Sequence, residues 1–247
     1  GSFARLCYLL YYRQMFKAVG FDLGDTLIEY EQVPLSWQSL YKNALNGVVT
    51  KHNLAVSSKG LQEAEEILLK YNTRVYPRTK EVTANKIFTE ILQAWDAYTD
   101  ENVTNAIATF FSFFQTKAKV FDDTIPFLEF LKAKQIKIGI FTDVPYGMPK
   151  KFVEKDIEKM KDFVDVLLTS EEVGYRKPEK IIYETFATKL NMQINEFAYV
   201  GNEEKDVTGA RNAGVYAIFI DRENTSRSFA EDKKVSSLEE LQKIFNN

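Results

Sequence analysis

Apolar residues gather in five short runs, 17–21, 136–141, 163–168, 197–200 and 215–220, each closed by a polar residue or glycine, with helix-like stretches between the later ones. Short unbroken apolar runs alternating with amphipathic segments predict a parallel sheet covered by helices, that is, an α/β doubly wound fold. The runs exit at Asp22, Thr142-Asp143, Thr169-Ser170, Gly201-Asn202 and Asp221. In an open sheet of this kind, ligands bind beyond the carboxyl ends of the strands. The exits should therefore converge on one crevice, with Asp22, Thr142 and Asn202 as neighbours.

Residues 31–118 carry no comparable strand signal and read as amphipathic helices over 34–52, 59–71, 82–95 and 102–117. Pro34 suits a first helical turn, and Ser57-Ser58 and Thr99-Asp100 offer side-chain oxygens for N-terminal capping. The expected organisation is a Rossmann-like core from 15–30 and 119–247, an inserted α-helical cap from 31–118, and an appended segment from 1–14. Gly1-Ser2 reads as a cloning remnant and Met15 as the natural start. The apolar stretch 6–12 is too short to span a bilayer and no signal cleavage site follows it. Phe110, Phe111, Phe113 and Phe114 read as core, because aromatic residues at helical spacing are mostly buried. His52, near a helix end, reads as a capping or surface residue and not as a base.

Composition narrows the chemistry. The chain has 247 residues, 32 basic and 35 acidic side chains and a net charge of −3, mixed along its length. No basic stripe points to a nucleic-acid partner, so small polar or phosphorylated substrates are the easier fit. A single histidine, His52, and a single cysteine, Cys7, exclude a disulfide framework, a His/Cys zinc site and a Cys/His dyad. Carboxylates, hydroxyls and lysine must carry the reaction, and this cysteine usage fits a cytoplasmic setting.

In Phe21-Asp22-Leu23-Gly24-Asp25-Thr26-Leu27 a buried strand hands over to a glycine turn at Asp22, a place for a nucleophile or a metal ligand. Thr142 can donate to a phosphoryl oxygen. Lys177, in Gly174-Tyr175-Arg176-Lys177-Pro178, can bring a cation to both Asp22 and a phosphoryl group. Asn202 and Asp206, in Gly201-Asn202-Glu203-Glu204-Lys205-Asp206, supply oxygens suited to Mg²⁺, which needs only one or two protein carboxylates.

The order of these motifs resembles that of the haloacid dehalogenase superfamily: Asp22 and Thr26 match the first motif, Thr142 the second, Lys177 the third, and Gly201 with Asp206 the fourth. The resemblance runs from Lys17 onward and implies a helical cap before Thr142, with 120–126 as the return to the core. It implies that Asp22 attacks phosphorus, that Thr142 and Lys177 bind the phosphoryl group, and that Mg²⁺ is held by Asp22, the Gly24 carbonyl and Asn202 with support from Asp206. Three positions depart from the family pattern. Gly24 replaces the usual general acid, a group contributing roughly 10²–10⁴-fold. Asn202 replaces an aspartate, and Asp143 stands where asparagine is common. Asp25 and Asp143 are candidate substitutes for the acid, though hydrogen bonding to the loop after Asp22 is the plainer role for Asp143, and Glu203 reads as a helix start. The expected function is a Mg²⁺-dependent phosphatase acting on a small phosphorylated metabolite. A non-catalytic phosphate-binding module and a metal-free 2-haloacid dehalogenase are the alternatives.

Overall fold

The computed structural model describes residues 16–115 and 118–245. The expected appended segment 1–14, with Met15 and Cys7, lies outside the described residues. Six parallel strands form one sheet: β1 (Ala18–Phe21), β4 (Lys137–Thr142), β5 (Val166–Thr169), β6 (Phe197–Gly201), β7 (Tyr216–Ile220) and β8 (Lys233–Val235), in the order β5-β4-β1-β6-β7-β8. Phe21 aligns with Ile140 on one side and Val200 on the other. The chain runs outward from β1 to β4 and β5, then returns to β6 on the other side. The switch point of the sheet therefore lies at the carboxyl end of β1, directly at Asp22.

Strand alternation divides the core in two. Val19, Phe21, Ile138, Ile140, Val200, Ile218 and Ile220 pack on one face with Phe127 and Leu131 of α5 (Thr124–Ala133). Ala18, Phe141, Tyr199 and Phe219 face the other way, onto α8 (Ile181–Leu190) and α9 (Glu204–Asn212). That second face needs glycine. A Cβ on Gly139 would stand 1.8 Å from the Phe186 ring, so the ring of α8 rests on bare backbone.

Four helices, α1 (Tyr41–Lys51), α2 (Ser58–Lys70), α3 (Ala84–Ala94) and α4 (Asp100–Phe114), lie between β2 (Ile28–Tyr30) and β3 (Ala118–Val120), two short strands that pair antiparallel. They enclose a separate apolar cluster that includes Leu45, Leu68, Phe88 and Phe110, with Trp37 stacked on Phe114 at 3.8 Å. The helix starts follow the side-chain chemistry. Ser57 accepts from Gly60 N at 3.1 Å, Thr83 from Lys86 N at 3.3 Å and Thr99 from Asn102 N at 3.0 Å. Of the phenylalanine cluster, Phe110, Phe111 and Phe114 are buried and Phe113 is 43% exposed. His52 closes α1 and its Nε2 meets the Thr109 hydroxyl at 2.8 Å, in a capping position as expected.

The fourth helix spans Asp100–Phe114 where 102–117 was expected, and two further boundaries differ from the sequence reading. Pro34 does not open a helix: a 3₁₀ turn covers Trp37–Leu40 after an extended Ser36, and α1 begins at Tyr41. Val33, Pro34, Leu35 and Trp37 line a cavity instead. The third strand begins at Val166 and not at 163, because Lys161–Phe163 forms a 3₁₀ turn and the Asp165 carboxylate occupies the Ile138 N–H at 2.8 Å. The pair β2–β3 and the edge strand β8 escape the pattern because three residues are too few to show a period.

The helical layer is fastened to the sheet. Glu81 N donates to Gly174 O at 3.0 Å and Arg176 N to Thr79 O at 2.7 Å, a short antiparallel clasp. Inside it the buried Arg176 guanidinium pairs with the Glu81 carboxylate and donates to Val144 O at 2.6 Å. Among the described residues no helix is long and apolar enough to cross a membrane.

Candidate active site

Beneath the helical layer lies a cavity of about 330 Å³, and it opens on the strand exits. Asp22 directly follows β1 and its N–H donates to Val200 O at 2.8 Å, so the sheet ladder fixes its backbone one residue beyond the strand. Its carboxylate is nearly buried, 8% exposed, on the cavity floor. Behind it lies Lys177, whose Nζ is 2.6 Å from Asp22 Oδ1 and 2.6 Å from Asp206 Oδ1. The ammonium also contacts the Tyr199 hydroxyl at 3.4 Å, and that hydroxyl donates to Phe141 O at 3.1 Å.

One buried cation thus serves two buried carboxylates. Burial raises the Asp22 carboxyl to about 7, and the Asp206 charge adds to this while Lys177 opposes it. For Lys177 burial works against the charge, but Asp206 and Asp22 outweigh it and hold the ammonium well above its ordinary value. The cluster keeps a surplus negative charge at the floor. Such a site favours a second cation.

The residues present fit one. The Asn202 amide atom facing the nucleophile lies 3.3 Å from Gly24 O and 3.2 Å from Asp22 Oδ2. Two acceptors there are satisfied either by an inward NH₂ group that donates to both or by an inward oxygen with a cation shared among the three. Neighbouring oxygens on a Mg²⁺ octahedron with bonds near 2.1 Å sit ~3 Å apart, close to this spacing. Among the described residues no three His, Cys, Asp or Glu side chains form a metal-binding group, so a cation here would draw on one carboxylate, one carbonyl and one amide. Asp206 takes a different place: Oδ2 accepts from Glu203 N at 2.9 Å, closing a capping box at the start of α9, and Oδ1 faces Lys177. Gly201 permits this, since a Cβ there would come within 2.4 Å of Asp206. Asp206 thus acts through charge and by positioning Lys177.

Thr142, at the end of β4, lines the cavity with Asp22 and Asn202, so the three strand exits open on one cavity. Thr26 is buried under the loop, its hydroxyl 3.4 Å from Asn202 Oδ1. Gly24 has a negative φ, and a Cβ built on it would meet only the Tyr30 ring at 3.7 Å. Asp25 adopts φ +56°, lines the cavity and has its carboxyl raised by burial and by Glu203, against Arg74. Asp143 does not bond to the loop after Asp22 as expected. Its Oδ1 accepts from Lys177 N at 3.1 Å and its Oδ2 lies 3.0 Å from Lys205 Nζ, because the β4 exit faces the Lys177 loop and the start of α9. Burial pushes Asp143 up, but Lys205, Arg176 and Lys177 overcome it and bring its carboxyl to about 2.

The sequence reading missed two groups. Arg74, in the turn after α2, pairs with Glu203 and feels the charges of Asp22 and Asp143, which places a helical-layer guanidinium over the floor. Tyr30, Gln115 and Asp156 form a polar cluster in the cavity wall. A lone arginine in a turn and three residues far apart in sequence leave no motif to find.

Residues 16–214 match the family model of haloacid dehalogenase-like hydrolases. A glyceraldehyde 3-phosphate phosphatase of Methanocaldococcus jannaschii is 28% identical over 94% of this chain and 98% of its own length. A phosphatase structure from Thermococcus onnurineus aligns at TM-score 0.59 and 25% identity over 93% of this chain and 97% of its own. A 2-haloacid dehalogenase structure from Pseudomonas syringae aligns at TM-score 0.66 and 23% identity over 94% and 99%, a likeness of fold. With most of its length matched, this chain belongs to the haloacid dehalogenase-like hydrolases.

Proposed function

We propose that the chain is a Mg²⁺-dependent phosphatase that hydrolyses a small phosphorylated metabolite through an aspartyl-phosphate at Asp22, with residues 31–118 serving as the cap that encloses the substrate. The observation that carries this reading is the convergence of Asp22 Oδ2, Gly24 O and the Asn202 amide beside a carboxylate whose other oxygen is held by Lys177. Relatives named as phosphatases, including the archaeal glyceraldehyde 3-phosphate phosphatases, support the reaction class.

Bound Mg²⁺ would neutralise phosphoryl charge and favour the ionised form of Asp22. The protein's own groups do the rest. Asp22 Oδ1, aligned by Lys177, attacks phosphorus as the bond to the alcohol oxygen breaks. Lys177 and the Thr142 hydroxyl offset charge on the phosphoryl oxygens, and the Asp206 carboxylate fixes Lys177. The alcohol leaves with a proton from solvent, since Gly24 offers none. Water then attacks phosphorus as the bond to Asp22 Oδ1 breaks, losing its proton to solvent, and phosphate leaves with the Asp22 carboxylate restored. Without a side chain at 24, this cycle should favour good leaving groups.

Phosphate release from an aryl phosphate with and without Mg²⁺, with Asp22→Asn as control, tests the reading. Turnover that needs both Mg²⁺ and Asp22 is expected. Gly24 favours one other reading, a phosphate-binding module without turnover. Beryllium fluoride binding at Asp22 with no phosphate release would establish that reading in place of the first, and metal-independent halide release from a 2-haloacid would overturn both.

A further inference from the structure

Asp156, at the end of α6 (Lys150–Asp156), is a cavity carboxylate outside the ion-pair network that surrounds the nucleophile. Its Oδ2 accepts from the Tyr30 hydroxyl at 2.8 Å and its Oδ1 from Gln115 Nε2 at 2.7 Å. Among the described residues, no Lys or Arg nitrogen comes within 4.0 Å of it. A carboxylate has about four lone-pair sites, so two remain for a ligand. Burial holds the carboxyl at about 6, against the two hydrogen bonds and the charge of Lys155. Neutral donors therefore leave much of the charge uncompensated.

Two further observations give the missing partner a sign. Trp37, with one face stacked on Phe114, and Tyr146 line the same cavity with their rings 5.5 Å apart, and aromatic rings attract organic cations. The lining as a whole is anionic: it carries five carboxylates against three cationic side chains, and one of those cations, Arg176, is committed to Glu81. A doubly negative phosphoester enters such a cavity unfavourably unless positive charge accompanies it. A divalent cation would supply that charge beside Asp22, whereas among the described residues no Lys or Arg pairs with Asp156, and Lys155 acts on it only through its field.

We propose that Asp156, with the aromatic residues of the same cavity, binds an ammonium group, so that the substrate is the phosphomonoester of an amino alcohol. The proposal rests on the phosphatase reading above. Tyr30, bonded to Asp156 and within the field of Asp22, joins the two ends of the cavity and would set the spacing between ammonium and phosphate.

The test compares ethanolamine phosphate with n-propyl phosphate, its isostere with an uncharged tail, in the presence of Mg²⁺, using kcat/KM and calorimetric Kd in the wild type and Asp156→Asn. A charge-assisted hydrogen bond predicts a preference of about 10-fold or more for the ammonium ester in the wild type, falling toward unity in the variant. The ratio within one protein cancels any general damage from the substitution. Equal handling of the two esters by the wild type, a ratio that survives Asp156→Asn, or a preference for glyceraldehyde 3-phosphate, whose tail is uncharged, would overturn the subsite. Failure to hydrolyse p-nitrophenyl phosphate would instead sink the phosphatase reading, and the ratio of calorimetric Kd values would still decide the subsite.

Discussion

Placing a carboxylate at position 24 should restore the acid that the first motif lacks. Gly24→Asp is sterically open: the backbone has no positive φ, and the new Cβ would meet only the Tyr30 ring, at an ordinary contact distance of 3.7 Å. The position lines the cavity, so the carboxyl can extend into space above Asp22. There it would sit near a surplus of negative charge, since burial and Asp206 already raise Asp22 to about 7. A new acid in the same surroundings should also be raised, which keeps it protonated near neutral pH and suits it to donate to a leaving group. General acid catalysis contributes roughly 10²–10⁴-fold when the leaving group needs a proton. For an alkyl phosphate, kcat/KM should therefore rise by about 100-fold. For p-nitrophenyl phosphate, whose leaving group needs little protonation, it should rise by less than about 10-fold. The assay is phosphate release from both esters across pH 5–9, with the unfolding temperature confirming that the variant is folded. Equal gains for the two esters, or none for the alkyl ester in a folded variant, would refute the assignment of Gly24 as the missing acid.

Lys177→Met removes the ammonium that pairs with both Asp22 and Asp206 and leaves two buried carboxylates without it. Urea unfolding at pH 7.5 should show a loss of about 3–5 kcal/mol, and a loss below 1 kcal/mol would contradict the pairing. Asp143 has a carboxyl near 2 against an ordinary 3.8, so its pairing stabilises the fold above about pH 4 and the contribution is lost as pH falls toward 2. Asp143→Asn should be less stable than the wild type by about 2 kcal/mol at pH 6, with the two curves converging near pH 2. Asp156 carries the opposite sign: its carboxyl is raised to about 6, so the stability of its neutral form is complete below 3.8 and is lost as pH rises through 6. Allowing for partial solvent screening, Asp156→Asn should stabilise the protein by about 1–3 kcal/mol at pH 8 and hardly at all at pH 4, as read from thermal unfolding at both.

The sheet was legible in the sequence because its inner parallel strands are buried on both faces, which turns each into an apolar run ending at a polar exit. That one property located Asp22, Thr142 and Asn202 and predicted their meeting. Helix starts were legible where a hydroxyl capped them, as at Ser57 and Thr99. They were misread at Pro34, where the next residues turn to line the cavity. Asp206 was read as metal support, through water or its own carboxylate, from its place in the motif; in the structure its two oxygens face Lys177 and a helix N-terminus. Such a division of partners depends on side-chain direction, which spacing does not carry.

The sequence by itself determined the doubly wound core, the identity of the residues at the strand exits and the absence of an acid at position 24, because strand burial and residue chemistry are local properties of the chain. Only the tertiary structure decided which charges share one another. Lys177 comes to lie between Asp22 and Asp206, Arg74 comes over the floor, and Tyr30, Gln115 and Asp156 meet from three elements. Each of these interactions falls off with distance in space and is indifferent to distance along the chain.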